Sequence, residues 1–183
     1  MTTALFGSIV TWFLVFVTGT SAQSGLITRE EALAAVYPEA VVDAERVFLT
    51  TDQTQRAAVL SGEELPSALV ARYVAQRGGE IVGRAYVDTH IVRTKRESLL
   101  ISLDSEGRVR RIDVTAFLEP REYRAPERWL RQYDSKPLDD DLALQRLIRP
   151  IAGATLTAVA ANKAVRRVLA IDRVLETDQR MAK

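Results

Sequence analysis

The chain has 183 residues, of which 47% are hydrophobic and 27% are charged, and this composition excludes both a disordered chain and a protein with several membrane spans. The 25 Lys and Arg residues nearly balance the 24 Asp and Glu residues, so a net charge of +1 creates no long-range field for capturing nucleic acid. The absence of Cys and the presence of only one His, His90, exclude disulfides, iron–sulfur clusters and most zinc sites.

The first residues have the layout of a secretory signal. The stretch Ala4–Val17 is strongly apolar, and the small residues Thr20-Ser21-Ala22 follow it, so we expect cleavage after Ala22. An uncleaved N-terminal anchor is the alternative, although a spanning helix needs roughly 20 apolar residues. Either interpretation puts the folded part, residues 23–183, outside the cytoplasm, in the periplasm or on the extracytoplasmic face of the membrane.

The first elements after the leader are predicted to be a helix, a strand and a second helix. Thr28 begins the first helix with a capping box, and Pro38 ends it. Val41–Thr50 is rich in β-branched residues, which predicts a strand. The second helix is expected over 51–62, with three apolar side chains facing inward: Ala57, Val59 and Leu60.

The centre of the chain predicts two β-hairpins. Leu69–Gln76 and Glu80–His90 flank the dipeptide Gly78-Gly79, which is typical of a tight hairpin turn. Ser98–Leu103 and Arg108–Phe117 flank a second turn. With the earlier strand at one edge, we predict an α+β fold: an antiparallel sheet of four to five strands with helices packed around it.

After the sheet the chain becomes helical again. Leu118–Pro126 reads as a loop marked by prolines, and Glu127–Tyr133 as a short amphipathic helix. Its buried stripe is expected to consist of Trp129, Leu130 and Tyr133. A further helix is expected over Leu138–Leu147, where three successive Asp residues complement the helix dipole.

The last predicted element is a long helix over Thr157–Leu175. Its apolar residues recur near helical spacing, and Arg166-Arg167 are expected to face outward. The tail beyond Glu176 is expected to fray. No internal repeat and no linker is visible in the sequence, so residues 23–183 are interpreted as a single domain.

The most informative segment for function is Arg149–Val165. A small-residue turn, Ala152-Gly153-Ala154, leads directly into a helix whose first turn contains Thr155 and Thr157. Glycine allows close approach of a ligand, and free amides at a helix start favour a phosphate. The two hydroxyls are candidates for helix caps, for phosphate donors or for covalent modification, and an ordinary helix start is the simplest alternative.

The run I-A-G-A-T-L-T at Ile151–Thr157 resembles the flavin attachment segment of the FMN-binding domain family. That family includes the small FMN-carrying subunits of sodium-pumping NADH:quinone oxidoreductase and of Rnf-type complexes, together with exported single-domain proteins. Its motif is Asp-x-x-Ser/Thr-Gly-Ala-Thr, and a flavin transferase esterifies the final Thr with the FMN phosphate. The resemblance implies that this residue is Thr155. Other stretches resemble exported members of the family: Leu26–Pro38, Gly83–Arg93, Ser98–Leu103 and Ala116–Tyr133.

Two positions depart from the family motif. Arg149 stands in place of the Asp, and Ala152 stands in place of the Ser or Thr. Both motif residues are expected to help the transferase recognise its target. Two interpretations therefore remain open: FMN joined to Thr155 by a phosphoester, or FMN bound tightly without a covalent bond. In both, Ala152 removes one hydroxyl near the phosphate, and Arg149 is a candidate to replace it with a cation.

The resemblance also implies a set of binding residues. Those expected near the phosphate are Ala152, Gly153, Ala154, Thr155, Leu156 and Thr157. Those expected near the flavin ring are in the loop that contains Glu119, Pro120 and Tyr123, for which a solvated loop is the alternative. Thr94 and His90 are expected close to the pocket, with His90 more typical of a hydrogen-bonded structural residue.

We therefore predict an exported, FMN-binding electron carrier. The resemblance implies redox partner proteins, a flavin transferase for maturation, and membrane association through the N-terminus. A carrier is favoured over a self-contained enzyme because no second substrate site or general base is visible. No metal site is expected, since Asp139, Asp140 and Asp141 would point in different directions from a helix. The alternatives are a flavin-less binding or structural module of the same fold, and a membrane-held subunit of a redox complex.

Overall fold

The computed structural model describes residues 26–182, so the predicted leader, residues 1–22, lies outside the described residues. Five strands form one antiparallel sheet in the order β1-β2-β3-β4-β5. The strands are β1 Val41–Phe48, β2 Leu69–Arg77, β3 Glu80–Ile91, β4 Arg96–Asp104 and β5 Val109–Phe117. The helices are α1 Arg29–Val36, α2 Thr51–Ser61, α3 Glu127–Leu130 and α4 Thr155–Met181. The predicted α+β fold with an antiparallel sheet is confirmed.

Both predicted hairpins are present, and their turns explain why. Gly78 and Gly79 have φ angles of 59° and 84°, as a two-residue hairpin turn requires at both positions. Gly107, in the turn between β4 and β5, also has a positive φ of 79°. Local turn chemistry therefore sets the pairing of β2 with β3 and of β4 with β5.

The sheet separates two clusters of buried side chains. On one face, alternate residues of β4 such as Leu99 and Ile101 pack with α4 residues such as Val165 and Val168. The other face carries a smaller cluster, in which α1 packs against the sheet. A Cβ on Gly83 would overlap the ring of Tyr37 from the end of α1, so this close approach requires glycine.

Buried ion pairs join α4 to the sheet, and they correct one prediction. Arg167, expected to face outward, is only 7% exposed, and its Nη2 lies 2.9 Å from Oδ1 of Asp88 on β3. Asp172, five residues further along α4, pairs with Arg84 on the same strand at 2.6 Å. The prediction for Arg167 was wrong because the sheet offers a buried carboxylate at that position. Arg166 donates to the carbonyl of Ser61 at 2.7 Å.

The predicted helix over Leu138–Leu147 is wrong, because this segment forms a series of turns. The Asp139 carboxylate accepts a hydrogen bond from the Asp141 amide, a local turn that competes with a helix start. Two side chains of α4, Asn162 and Arg166, donate hydrogen bonds to the backbone carbonyl of Leu142. In a helix this carbonyl would accept a backbone amide instead.

Two further expectations are corrected at the helices. On α2, Val59 is 83% exposed and Leu60 is 37% exposed, because the helix buries Ala57 and Ser61 against α4 instead.

The helix α4 begins at Thr155 and continues to Met181 rather than fraying after Glu176. An ion pair between Asp178 of α4 and Arg56 of α2, at 2.8 Å, holds this last part. The buried stripe of Trp129, Leu130 and Tyr133 is confirmed.

Candidate functional site

The start of α4 presents three backbone donors at one point. Gly153 has a φ of 78°, and Ala154, at the cap position, offers no side-chain oxygen. The first hydrogen bond of the helix runs from the amide of Ala158 to the carbonyl of Ala154. Within residues 26–182, the amides of Thr155, Leu156 and Thr157 have no acceptor. Unpaired amides and the positive end of a long helix dipole together favour an anion.

The two threonines of this first turn differ in their surroundings. Thr157 is 1% exposed, and its Oγ1 donates to the backbone carbonyl of Tyr123 at 2.6 Å. Thr155 is exposed, and its hydroxyl has no hydrogen-bond partner among the described residues. Thr155 is therefore the hydroxyl that a modifying enzyme can reach, whereas Thr157 is part of the packing that supports the turn.

A cavity of about 350 Å³ lies over this helix start. Its walls are formed by Arg93, Tyr123, Gly153, Ala154, Thr155, Leu156 and Thr157. The guanidinium of Arg93 lies 5.2 Å from the centre of the Tyr123 ring, within the range of a cation–π contact. The cavity therefore combines three free amides with one cation and an aromatic ring.

A second cavity of about 170 Å³ adjoins the first at Leu156. One wall is the end of β3, at His90 and Ile91, and the turn residue Val92. The other wall is one face of α4, where helical spacing brings together Leu156, Val159, Ala160, Lys163 and Arg167. The Nζ of Lys163 lies 2.9 Å from the carboxylate of Glu63. This cavity thus has an apolar wall with cations at its margin.

His90 is held between two carboxylates under the second cavity. Its Nδ1 lies 2.8 Å from Oδ1 of Asp88, and its Nε2 lies 3.0 Å from Oε2 of Glu97. Burial lowers the pKa of His90, but these two hydrogen bonds outweigh burial and raise the pKa to about 9. The charged imidazolium therefore neutralises buried acids at neutral pH, and neither ring nitrogen is free to act as a base.

Glu119 organises the turn that carries Arg93 and lines neither cavity. Its Oε1 accepts hydrogen bonds from the amides of Thr94 and Lys95, at 2.7 and 2.8 Å, which lower the pKa of this carboxyl. Pro120 directly precedes the short 3-10 turn that ends at Tyr123, so it helps to orient that side chain. The loop is thus a support for the first cavity.

Two residues from the motif alignment do not line the first cavity. Ala152 is exposed beside it. The backbone of Arg149 is held by Trp129, whose Nε1 donates to the Arg149 carbonyl at 2.6 Å. The cation on the cavity wall is Arg93, and sequence reasoning missed it. Its only signal was its place at the end of the stretch Gly83–Arg93 that resembles the family.

No protein-family model, curated protein or solved structure matches this chain. Within residues 26–182, no helix has both the length and the apolar character that a membrane span requires. The same part of the chain contains no group of three or more acidic or His side chains suited to a metal ion.

Proposed function

We propose that this protein is an exported electron carrier that binds FMN at the start of α4, with the phosphate on the amides of Thr155, Leu156 and Thr157. One observation carries the proposal: within residues 26–182, an exposed Thr155 hydroxyl without a partner stands among unpaired amides in a cavity that Arg93 also lines. The same residue is the one that the family resemblance selects for attachment.

The charge of the site suits a phosphate group in either bound form. A free FMN phosphate is doubly negative near neutral pH, and a phosphoester to Thr155 retains about one negative charge. Arg93 and the positive end of the α4 dipole are the nearest compensating charges. Both forms of binding therefore use the same donors, and only the Oγ1–phosphorus bond distinguishes them. That bond would form as the transferase breaks a phosphorus–oxygen bond to the leaving group of its flavin nucleotide donor, and the Thr155 hydroxyl proton would leave with that group.

Covalent attachment is proposed at Thr155 in preference to Thr157. Thr157 is buried, and its hydroxyl proton is committed to the Tyr123 carbonyl, so esterification there would break a buried hydrogen bond. Thr155 is exposed, and loss of its hydroxyl proton disturbs no hydrogen bond within the described residues. A flavin transferase would therefore meet an accessible acceptor at one position only.

The isoalloxazine ring is proposed to extend from Thr155 along α4 into the second cavity. Leu156, Val159 and Ala160 offer an apolar wall for its flat face. Lys163 and Arg167 each have one carboxylate partner and retain further N–H donors toward the polar edge of a ring. The bound flavin would supply the electron-transfer chemistry, and these residues would orient it and tune its potential.

The cavities favour a carrier over a self-contained enzyme. The one imidazole near them has both nitrogens engaged, and Glu119 is directed to backbone amides rather than to the cavities. The site thus offers a cofactor position without a free general base. Electron exchange would then require partner proteins, and the expected leader puts that exchange in the periplasm or at the extracytoplasmic face of the membrane.

The test is expression of the full chain with and without a flavin transferase. We expect a yellow protein whose colour survives acid precipitation and whose mass exceeds that of the polypeptide by one FMN group, only when the transferase is present. Thr155→Val should abolish the added mass, and the matched variant Thr155→Ser should retain a hydroxyl acceptor and the added mass. Added mass that persists in Thr155→Val would show that the attachment site is wrong.

The same samples separate the alternatives. Yellow colour that is lost on acid precipitation would indicate FMN bound without a covalent bond. A colourless protein that takes up no added FMN would favour the flavin-less module of the same fold. Recovery of the full chain in the membrane fraction, together with other redox proteins, would favour a membrane-held subunit of a redox complex.

A further inference from the structure

Part of one sheet face is left open by the helix that packs on it. The helix α1 covers this face at the end that contains Gly83 and Leu103. At the opposite end, four large apolar side chains are solvent-exposed, with exposed fractions of 47–73%: Phe48, Leu69, Ile91 and Leu118. Exposed apolar groups that lie together commonly mark an interaction surface.

The strand register brings these side chains onto one surface. Phe48 of β1 is directly opposite Leu69 of β2. Alternate residues of a strand share a face, and the pairing of Ala71 with Val87 places Leu69 and Ile91 on the same side of the sheet. Ile91 is opposite Arg96 of β4, whose carbonyl accepts a hydrogen bond from the amide of Leu118. We call this surface, from Phe48 to Leu118, the open face.

Charge on the open face is of one sign. Arg46 shares the face with Phe48, and Arg96 is opposite Ile91. Arg93 and Lys95, in the turn between β3 and β4, add exposed cations at its margin. Asp113 of β5 also lies on this side of the sheet, but it is 6% exposed and pairs with Arg111 at 2.7 Å.

The acidic neighbours are turned away or already paired. Glu45 lies on the opposite face and pairs with Arg72 at 3.3 Å. Glu97 is fully buried, and Glu119 accepts the backbone amides of Thr94 and Lys95. Among the residues that the structure describes, the open face is therefore an apolar surface whose nearby cations form no ion pair with an acidic residue.

We infer that the open face docks on the surface of an anionic lipid bilayer. Exposed apolar side chains bordered by Lys and Arg bind at a membrane interface through apolar burial and attraction to anionic headgroups. A second copy of the chain would bring Arg46 and Arg96 against like charges. The segment 1–25 contains no charged side chain that would complement these cations. Docking would also bring Arg93, and with it the start of α4, close to the lipid surface.

This inference does not depend on flavin binding, and the absence of Cys from the chain allows a direct test. We would prepare the full chain as Phe48→Cys and label it with an environment-sensitive fluorophore. Val59→Cys is the matched control, because Val59 is 83% exposed but lies on α2, which packs against α4 on the other side of the sheet. The probes are phosphatidylcholine vesicles with and without phosphatidylglycerol.

We expect a blue shift at position 48 only with the phosphatidylglycerol vesicles, and no shift at position 59. Binding through residues 4–17 alone would leave both positions unshifted, so the readout separates the open face from the leader. Arg46→Gln and Arg96→Gln should each weaken partitioning by about fivefold, which corresponds to about 1 kcal/mol per basic residue near an anionic surface.

Several outcomes would overturn the inference. Equal shifts at both positions would mean adsorption without a preferred face. A shift without vesicles that grows with protein concentration would identify a second copy as the occupant, and one that is independent of concentration would identify the N-terminal segment. A shift with polyglutamate but none with the anionic vesicles would identify an acidic protein partner instead.

Discussion

The Oγ1 of Thr157 donates a 2.6 Å hydrogen bond to the backbone carbonyl of Tyr123, which joins the first turn of α4 to the 3-10 turn after the sheet. The bond fixes the backbone of Tyr123, whose ring lies 5.2 Å from the Arg93 guanidinium, and both residues line the cavity at the start of the helix. The two threonines therefore have different roles. Thr157 is buried and bonded within the protein, whereas the hydroxyl of Thr155 remains exposed.

Replacing Thr157 with Val should cost stability without removing the proposed flavin modification. The substitution keeps the side-chain shape but leaves the Tyr123 carbonyl without its donor, which should lower the free energy of unfolding by about 1–3 kcal/mol. Urea unfolding of Thr157→Val and wild type measures this difference. Mass spectrometry after expression with the transferase should still find the added FMN group, and its loss would assign attachment to Thr157.

Introducing the motif residues of the FMN-binding domain family should increase the extent of the proposed flavin attachment. Arg149→Asp and Ala152→Ser, singly and together, supply the residues that the transferase is expected to recognise. Both positions are exposed, so these changes should leave the free energy of unfolding within about 0.5 kcal/mol of wild type. Intact mass at a fixed time of expression gives the modified fraction. An unchanged or smaller fraction in the double variant would contradict a role for these positions in recognition.

Breaking the buried pair between Arg84 and Asp172 should cost much more folding stability than breaking an exposed pair. Each residue is about 3% exposed, and Asp172 also accepts the Tyr86 hydroxyl at 2.8 Å. Asp172→Leu would leave the buried Arg84 guanidinium with only the Glu176 carboxylate, at 3.5 Å, and the Tyr86 hydroxyl without its acceptor, and should cost about 3–5 kcal/mol. Arg84→Met combined with Asp172→Leu should recover much of that loss, because the remaining charge is removed as well.

A double-mutant cycle by urea unfolding measures the coupling energy of this pair. The exposed pair Arg146–Asp141 serves as the control, with side chains 61% and 64% exposed, and Asp141→Asn should change stability by less than about 1 kcal/mol. Equal costs at Asp172 and Asp141 would contradict the argument that burial decides the energy.

His90 should make the protein less stable in alkaline solution. Its folded-state pKa of about 9 lies above the ordinary 6.5, so the stabilisation is fully present below pH 6.5 and is lost as pH rises through about 9. The loss amounts to about 3 kcal/mol for a shift of this size. His90→Gln should be less stable than wild type at pH 6.5 and should have a flatter profile up to pH 9. Urea titrations of both proteins between pH 6.5 and pH 9 measure the free energy of unfolding. If that free energy changes with pH equally in wild type and His90→Gln, the prediction is wrong.

The elements that sequence analysis identified correctly depend on nearby residues. The two hairpins follow from alternating apolar strands around turns such as Gly78-Gly79, and the capping box at Thr28 is present with both of its hydrogen bonds. The short buried stripe of Trp129, Leu130 and Tyr133 follows from helical spacing alone. These patterns act over a few residues, so one sequence suffices to find them.

The errors arose where a local pattern has two meanings. A run of Asp residues suits both a helix start and a series of turns, and the turns formed at Leu138–Leu147 because α4 occupies the carbonyl of Leu142. A pair of arginines on an amphipathic helix ordinarily faces water. Arg167 is buried because Asp88, 79 residues earlier, supplies a carboxylate beneath it.

The candidate site likewise has features that the sequence predicts and features that only the tertiary structure reveals. The sequence by itself determined the hairpins, the glycine turn at Gly153 and the two threonines of the following helix, since these depend on backbone preferences of adjacent residues. Only the tertiary structure decided which threonine is exposed, that Arg93 rather than Arg149 lines the cavity, and that His90 is enclosed by two carboxylates. Whether a charged side chain is buried, and with which residue it pairs, depends on residues far apart in the chain. Such partners are identified only once the strands and helices are packed together.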